Sequence, residues 1–197
     1  MNKNFIRLAT ESDAAELLNI YAPYVSGTSI TFETTVPDTR SFGKRISQYL
    51  DFCPWLVSES DGTITGYAYA SRYRERVAYQ WSVECSVYIH AAYMRHGIAS
   101  ALYSALFEIL QQQGFRNVYA VINLPNDRSV ALHERLGFRH FATYEQVGYK
   151  LGEWKNVGWW QLVLNSFDEE PAAPVPFHEL NKDFLEELFE RSSRRLA

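Results

Sequence analysis

The stretch "SVECSVYIHAAYMRHGIASALYSALFEIL", residues 82–110, constrains the fold more than any other. Its first part alternates, with Val83, Cys85, Val87 and Ile89 on one face and Glu84, Ser86 and Tyr88 on the other, which is the period of a strand. Its second part repeats at helical spacing through Ile98, Leu102, Ala105, Leu106 and Ile109, and Gly114 ends the pattern. A further apolar run, "VYAVIN" at 118–123, reads as a strand buried on both faces. Strand, helix and strand in this order predict a βαβ crossover over residues 83–122, so two parallel neighbours must sit inside whatever sheet the rest of the chain builds.

The remaining elements point to hairpins. Asp61-Gly62 between "WLVSE" and "TITGYAYASRY" is a two-residue hairpin signal. "FRHFATYEQVGYK" and "WKNVGWWQLVLN" read as two closing strands, "FIRLA" as an opening one, and "DRSVALHERLG" as a helix stopped by Gly137. Thr10 and Asp13 form a capping box ahead of a helix carrying Leu17, Leu18 and Tyr21, and Asp38 caps a second helix reaching Leu50. The predicted fold class is α/β (α+β), a single mixed, mostly antiparallel sheet flanked by helices. With 197 residues, of which 47% are hydrophobic, one core is expected. We assign 1–165 to that domain. Residues 166–197 are an extension: a Pro/Ala linker beginning "DEEPAAPVPFHEL", then an amphipathic helix with Phe184, Leu185, Leu188 and Phe189 on its apolar side. That helix either packs on the same domain or serves an oligomer contact.

The junction "YMRHGIAS", residues 93–100, is where chemistry enters. A helix starting at Gly97 leaves its first N–H groups unpaired and carries partial positive charge there, which suits a phosphate. Arg95 and His96 add donors. A plain strand-to-helix turn with a basic surface has the same appearance. The formal net charge of −4 argues against a broad nucleic-acid face, so an anion must be held locally. Five His and two Cys show no metal-ligand spacing, which predicts no metal site. Two cysteines without redox spacing, read as free thiols with a disulfide as the alternative, and the absence of an apolar leader or a run long enough to span a bilayer point to a cytoplasmic protein without a membrane partner.

Three further features stand out. Glu84 is an acid on an otherwise apolar strand, either a satisfied structural carboxylate or a functional one. Arg72, Arg74 and Arg76 alternate in "RYRER", so an extended backbone would put them on one side, a pattern suited to a carboxylate or phosphinate or else to a solvated loop. Asn126 opens "NDRS" as a helix cap.

The ordered blocks "VECSVYIHAAYMRHGIASALY", "VINLPNDRSVALHERLGF" and "VGYKLGEWKNVGWW", within residues 6–164, resemble the GCN5-related N-acetyltransferases (GNAT), and within them the phosphinothricin and methionine sulfoximine acetyltransferase group. The resemblance implies acetyl-CoA as co-substrate. Its pyrophosphate would lie on Arg95, His96, Gly97, Ile98, Ala99 and Ser100, and its pantetheine arm along the backbone of Val87, Tyr88 and Ile89. Asn126 would be a further cofactor contact. Met94 departs from the Gln or Arg usual at that turn position. The resemblance makes Glu84 the base that deprotonates the acceptor amine. His133, in "LHERLGF", stands where many relatives carry a Tyr that protonates the leaving sulfur. It is acid, base or a helix-surface imidazole. Arg74, Glu75, Arg76 and Tyr79 match the acceptor site, with Phe32 and Glu33 as another wall, so the implied partner is a small-molecule amine. A homodimer is implied as well. The competing readings are an acyltransferase for polyamines, antibiotics or protein N-termini, and a coenzyme-binding module without catalysis.

Overall fold

At Asp61-Gly62 both residues take positive φ, and the strands on either side, β2 (Trp55–Ser60) and β3 (Thr63–Arg72), fold back on each other antiparallel. β1 (Asn4–Leu8) lies outside β2, and β4 (Ser82–Ile89) lies on the far side of β3, both antiparallel. The computed structural model describes residues 4–167 and 170–196. It continues with β5 (Asn117–Leu124), β7 (Glu153–Val163) and β6 (Arg139–Lys150), giving one sheet in the order β1-β2-β3-β4-β5-β7-β6. Only β4 and β5 are parallel, so the sheet is mixed and mostly antiparallel, as the sequence predicted.

Helices cover both faces. α1 (Ala14–Gly27) follows a single 3₁₀ turn at Glu11–Asp13, and the capping box is present, with Thr10 N donating to Asp13 Oδ2 at 2.7 Å. α2 (Thr39–Leu50) is capped by Asp38, which accepts from Ser41 N at 2.9 Å. Together they bury Leu17, Tyr21, Phe42 and Ile46 against Trp55, Tyr67 and Tyr88 of the sheet. On the opposite face α3 (Ile98–Gln112) packs Leu102, Leu106 and Ile109 on Leu56, Ala68, Val83, Cys85, Val118 and Ala120. α4 (Asp127–Arg135) follows β5 directly.

The amphipathic C-terminal segment forms α5 (Lys182–Ser193), which docks on β1 and α3 and adds Leu188 to the α3-side core. Arg191 pairs with Glu108 at 2.7 Å, and Ser193 Oγ accepts from Ile6 N at 2.9 Å. Of the two readings open from sequence, packing on the domain is the one this arrangement adopts. Asp168 and Glu169 of the expected linker lie outside the described residues.

Two expectations are corrected here. β5 is not buried on both faces: Val118, Ala120 and Ile122 face α3, whereas Val121 on the other side is exposed, because no helix covers that part of the sheet. The arginines of "RYRER" do not line one side of a strand, because β3 ends at Arg72 and the chain then bends into a 3₁₀ turn at Val77–Tyr79.

The feature that shapes the site is the β4–β5 pair. It holds only at Ser82↔Asn117, Val83↔Val118 and Glu84↔Tyr119. Beyond Glu84, β4 continues to Ile89 against β3 alone, and β5 continues to Leu124 against β7 alone. Two parallel strands parting in mid-sheet leave a cleft lined by backbone groups with no ladder partner.

Candidate active site

The cleft opens toward the turn before α3. Arg95 and Gly97 both have positive φ (68° and 77°), and an added Cβ at Gly97 would meet nothing within 4 Å, so the backbone faces open space. No side chain caps α3, and its first internal partner is Ala101 N donating to Gly97 O at 3.0 Å. The N–H groups of Ile98, Ala99 and Ser100 are therefore on offer to an anion. Arg95 and His96 are exposed, while the Ile98 side chain is buried in the α3 core and contributes backbone only. The same holds for Tyr88, whose ring packs on Tyr21 and Tyr24 at 4.9 and 5.2 Å. Val87 and Ile89 are half-buried against the α3 cluster, and Tyr24 Oη donates to Ile89 O at 2.7 Å.

Glu84 occupies the last position at which β4 pairs with β5, at the vertex of the cleft. Its side chain is half-buried, and burial raises its pKa above the ordinary carboxylate value, partly opposed by the Arg74 guanidinium 3.6 Å away. Arg74 also stacks over the Tyr73 ring at 4.4 Å and donates to Tyr73 O at 2.9 Å. Arg72, Arg74, Glu75, Arg76, Tyr73 and Tyr79 line an open hollow of 540 Å³. Arg72 itself turns away to lie over the Phe52 ring at 4.0 Å. Tyr73 joins this hollow to Tyr119, opposite Glu84, at 4.8 Å between ring centroids.

The loop after α1 carries Phe32 and Glu33, the residues expected as the other wall. Phe32 lies so close over Gly148 that an added Cβ there would stand 2.0 Å from its ring. Thr31 is held twice, by Tyr21 Oη at 2.8 Å and by Lys150 Nζ, which donates to Thr31 O at 2.7 Å. Glu33 pairs with Arg45 at 2.7 Å. The loop is pinned by α1, α2 and β6 rather than hanging free.

His133 is not a helix-surface imidazole. It is 3% exposed, and burial lowers its pKa. Nδ1 lies 2.7 Å from Ser129 O, a carbonyl that only accepts, so Nδ1 carries the proton and Nε2 accepts from Tyr103 Oη at 3.3 Å. Burial pushes the Cys85 thiol, on the same α3-side core, up to about 12. Asn126 caps α4 through its amide oxygen, accepting from Ser129 N at 3.2 Å. The structure thus gathers Glu84, Arg74, Glu75, Arg76 and Tyr79 at one end of the cleft and the 95–100 turn at the other, with His133 behind it.

Sequence reasoning passed over Lys150, Ser29 and Asn123. Lys150 is a lysine within the aromatic-rich β6–β7 hairpin that proves to be buried. Asn123 ends an apolar strand run, and a polar residue there is the signal that was available. Ser29 Oγ donates to Asn123 Oδ1 at 2.9 Å across 94 residues of sequence, which no local pattern reveals.

A mixed seven-stranded sheet parted between parallel neighbours, with an uncapped helix at the mouth and an acid at the vertex, defines an acyl-coenzyme A transferase fold. The model of the acetyltransferase (GNAT) domain matches residues 6–159, and the chain belongs to that family of acetyl-CoA-dependent N-acetyltransferases. The phosphinothricin N-acetyltransferase of Streptomyces viridochromogenes is 40% identical over 171 residues, spanning 87% of this chain and 91% of its own. A methionine sulfoximine/methionine sulfone acetyltransferase of Salmonella typhimurium is 35% identical, spanning 86% and 97%. Among solved structures, a phosphinothricin acetyltransferase from Sinorhizobium meliloti in complex with acetyl-CoA superposes with a TM-score of 0.83 at 32% identity, covering 86% of this chain and 94% of that one.

The residues present fit acetyl-CoA. The positive-φ turn and free α3 amides suit a diphosphate, and the unpaired edge of β4 suits an arm that carries amides. Among the described residues no cluster of three metal-ligating side chains forms, and no helix is long and apolar enough to cross a membrane.

Proposed function

We propose that this enzyme transfers the acetyl group of acetyl-CoA to the amino group of a small amino-acid analogue of the phosphinothricin, methionine sulfoximine or methionine sulfone type. The observation that carries the reading is the position of Glu84: a half-buried carboxylate with a raised pKa, at the cleft vertex and beside Arg74. Acetyl-CoA supplies the activated acetyl thioester. The chain's own residues do the rest. Arg95–Ser100 and the backbone of Val87–Ile89 hold the coenzyme, and Asn126 contacts it from the α4 cap.

Arg74, Glu75, Arg76 and Tyr79, with Phe32 opposite, receive the acceptor, whose anionic group pairs with guanidinium. An acceptor amine has a pKa of roughly 8 to 10 and arrives protonated, so a base is needed. Glu84 takes that proton, and its raised pKa brings it nearer the pH at which it must act. His133, neutral with Nε2 occupied by Tyr103, holds α4 against α3 and so positions Asn126 at the cleft, a role separate from proton transfer.

We further assign residues 1–165 as the catalytic domain and 166–197 as its docked extension, in a cytoplasmic homodimer. The dimer reading is supported by the β6–β7 hairpin at the sheet edge, which exposes Val147, Tyr149 and Trp154, with Phe141 exposed farther along β6. A thiol-release assay with acetyl-CoA against phosphinothricin, methionine sulfoximine, methionine sulfone, spermidine and an alanyl peptide tests the function. Turnover confined to the first three is expected, and preference for spermidine or the peptide would overturn the acceptor assignment.

A further inference from the structure

Asn123 is 8% exposed, and its Nδ2 is shut off from water with no hydrogen-bond partner. A buried amide left unpaired is costly, and natural proteins keep few of them. Three other buried polar atoms among the described residues share this condition, Trp55 Nε1, Gln113 Oε1 and Trp159 Nε1, and none of them lies on β4 or β5.

Asn123 does. It sits on β5 four residues beyond Tyr119, past the point where β4 and β5 part, and so level with Tyr88 of β4. Alternation places it with Tyr119 and Val121, on the face away from α3. That is the face on which Phe32 and its loop lie. The other half of the same carboxamide is already committed, because Oδ1 accepts from Ser29 Oγ at 2.9 Å, and Ser29 belongs to that loop.

We infer that Asn123 joins the coenzyme cleft to the acceptor loop: its amide nitrogen donates to a carbonyl oxygen of the pantetheine arm while its amide oxygen, held by Ser29, fixes the loop that walls the acceptor. The arm carries two secondary amides, whose carbonyl oxygens are acceptors of the kind Nδ2 lacks. An occupied cleft then removes the cost that the free protein bears, and the bound arm and the loop share one side chain. The inference rests on the acetyl-CoA reading and adds a residue to it.

Calorimetry with coenzyme A and with adenosine 3′,5′-diphosphate, which has no pantetheine arm, separates the two. Asn123→Leu and Asn123→Ala are expected to bind coenzyme A about tenfold more weakly and the diphosphate unchanged. The Leu variant loses the Ser29 bond along with the unpaired nitrogen, and its melting temperature is expected to gain less from added coenzyme A than that of wild type. Ser29→Ala should raise the acceptor KM several-fold while leaving coenzyme A affinity in place. Wild-type coenzyme A affinity in both Asn123 variants, or an equal loss for both ligands, overturns the contact. An unchanged acceptor KM in Ser29→Ala overturns the joint. If wild-type protein bound no coenzyme A, the acetyltransferase reading itself would fail instead.

Discussion

The two ends of the cleft are built from different material. At the proposed coenzyme end the groups on offer are backbone amides of residues 95–100 and of Val87–Ile89, and the neighbouring side chains of Ile98 and Tyr88 are turned into cores. At the proposed acceptor end the groups on offer are side chains: Glu84 and Arg74, the tyrosines around them, and Phe32 against Gly148. A backbone site tolerates changes of side chain as long as the chain path holds. A side-chain site changes its chemistry with every substitution. This explains how Met94 can stand in the turn without dismantling it, because the positive φ at Arg95 and Gly97 and the uncapped α3 amides remain.

The contrast can be broken most forcefully at Glu84. Glu84→Gln is expected to lower kcat by about 10²–10⁴-fold while acetyl-CoA affinity stays at the wild-type value. A parallel loss of both would mean that the acid is structural. The same variant has a stability signature. The folded carboxyl has a raised pKa, so its contribution to stability is fullest below the unfolded pKa and is lost as pH rises through the folded one. Glu84→Gln should therefore melt above wild type at neutral pH, with the gap closing in acid.

Gly148→Ala comes next. Its methyl would push Phe32 away, costing about 1–3 kcal/mol of overpacking and raising the acceptor KM with little change in the acetyl-CoA KM. At the other end, Gly97→Ala meets no neighbour, so its effect is backbone strain alone, about 1 kcal/mol, read as a several-fold weaker coenzyme A affinity. If the two variants raised the same Michaelis constant, the division between the ends would be wrong.

A smaller effect sharpens the electrostatics. Arg74 lowers the Glu84 pKa against the upward pull of burial, so Arg74→Gln should move the acidic limb of the kcat/KM profile to higher pH. A limb that moved the other way, or stayed put, would show that the pair at 3.6 Å does not form in solution. Met94→Gln is the smallest, with coenzyme A affinity expected to change by less than about threefold, because it leaves the amide cradle as it was.

Much of this was legible in the chain because it is written in local pattern. Alternation placed Glu84 opposite Cys85, helical spacing placed α3, and Asp61-Gly62 set the β2–β3 hairpin, all through geometry that spans a few residues. "RYRER" misled because alternation means something only where the strand continues, and here it stops at Arg72. The "VYAVIN" run misled because apolar composition alone does not say whether a helix covers the second face.

What the sequence by itself determined is the set of elements, their order and the backbone turn that can hold an anion, since each depends on neighbours in the chain. Only the tertiary structure decided that β4 and β5 part after Glu84, that His133 is enclosed between Ser129 and Tyr103, and that Asn123 answers to Ser29. The physical reason is reach. Hydrogen-bond ladders, desolvation and buried pairings are properties of groups brought together from distant positions, and no window of sequence contains both partners.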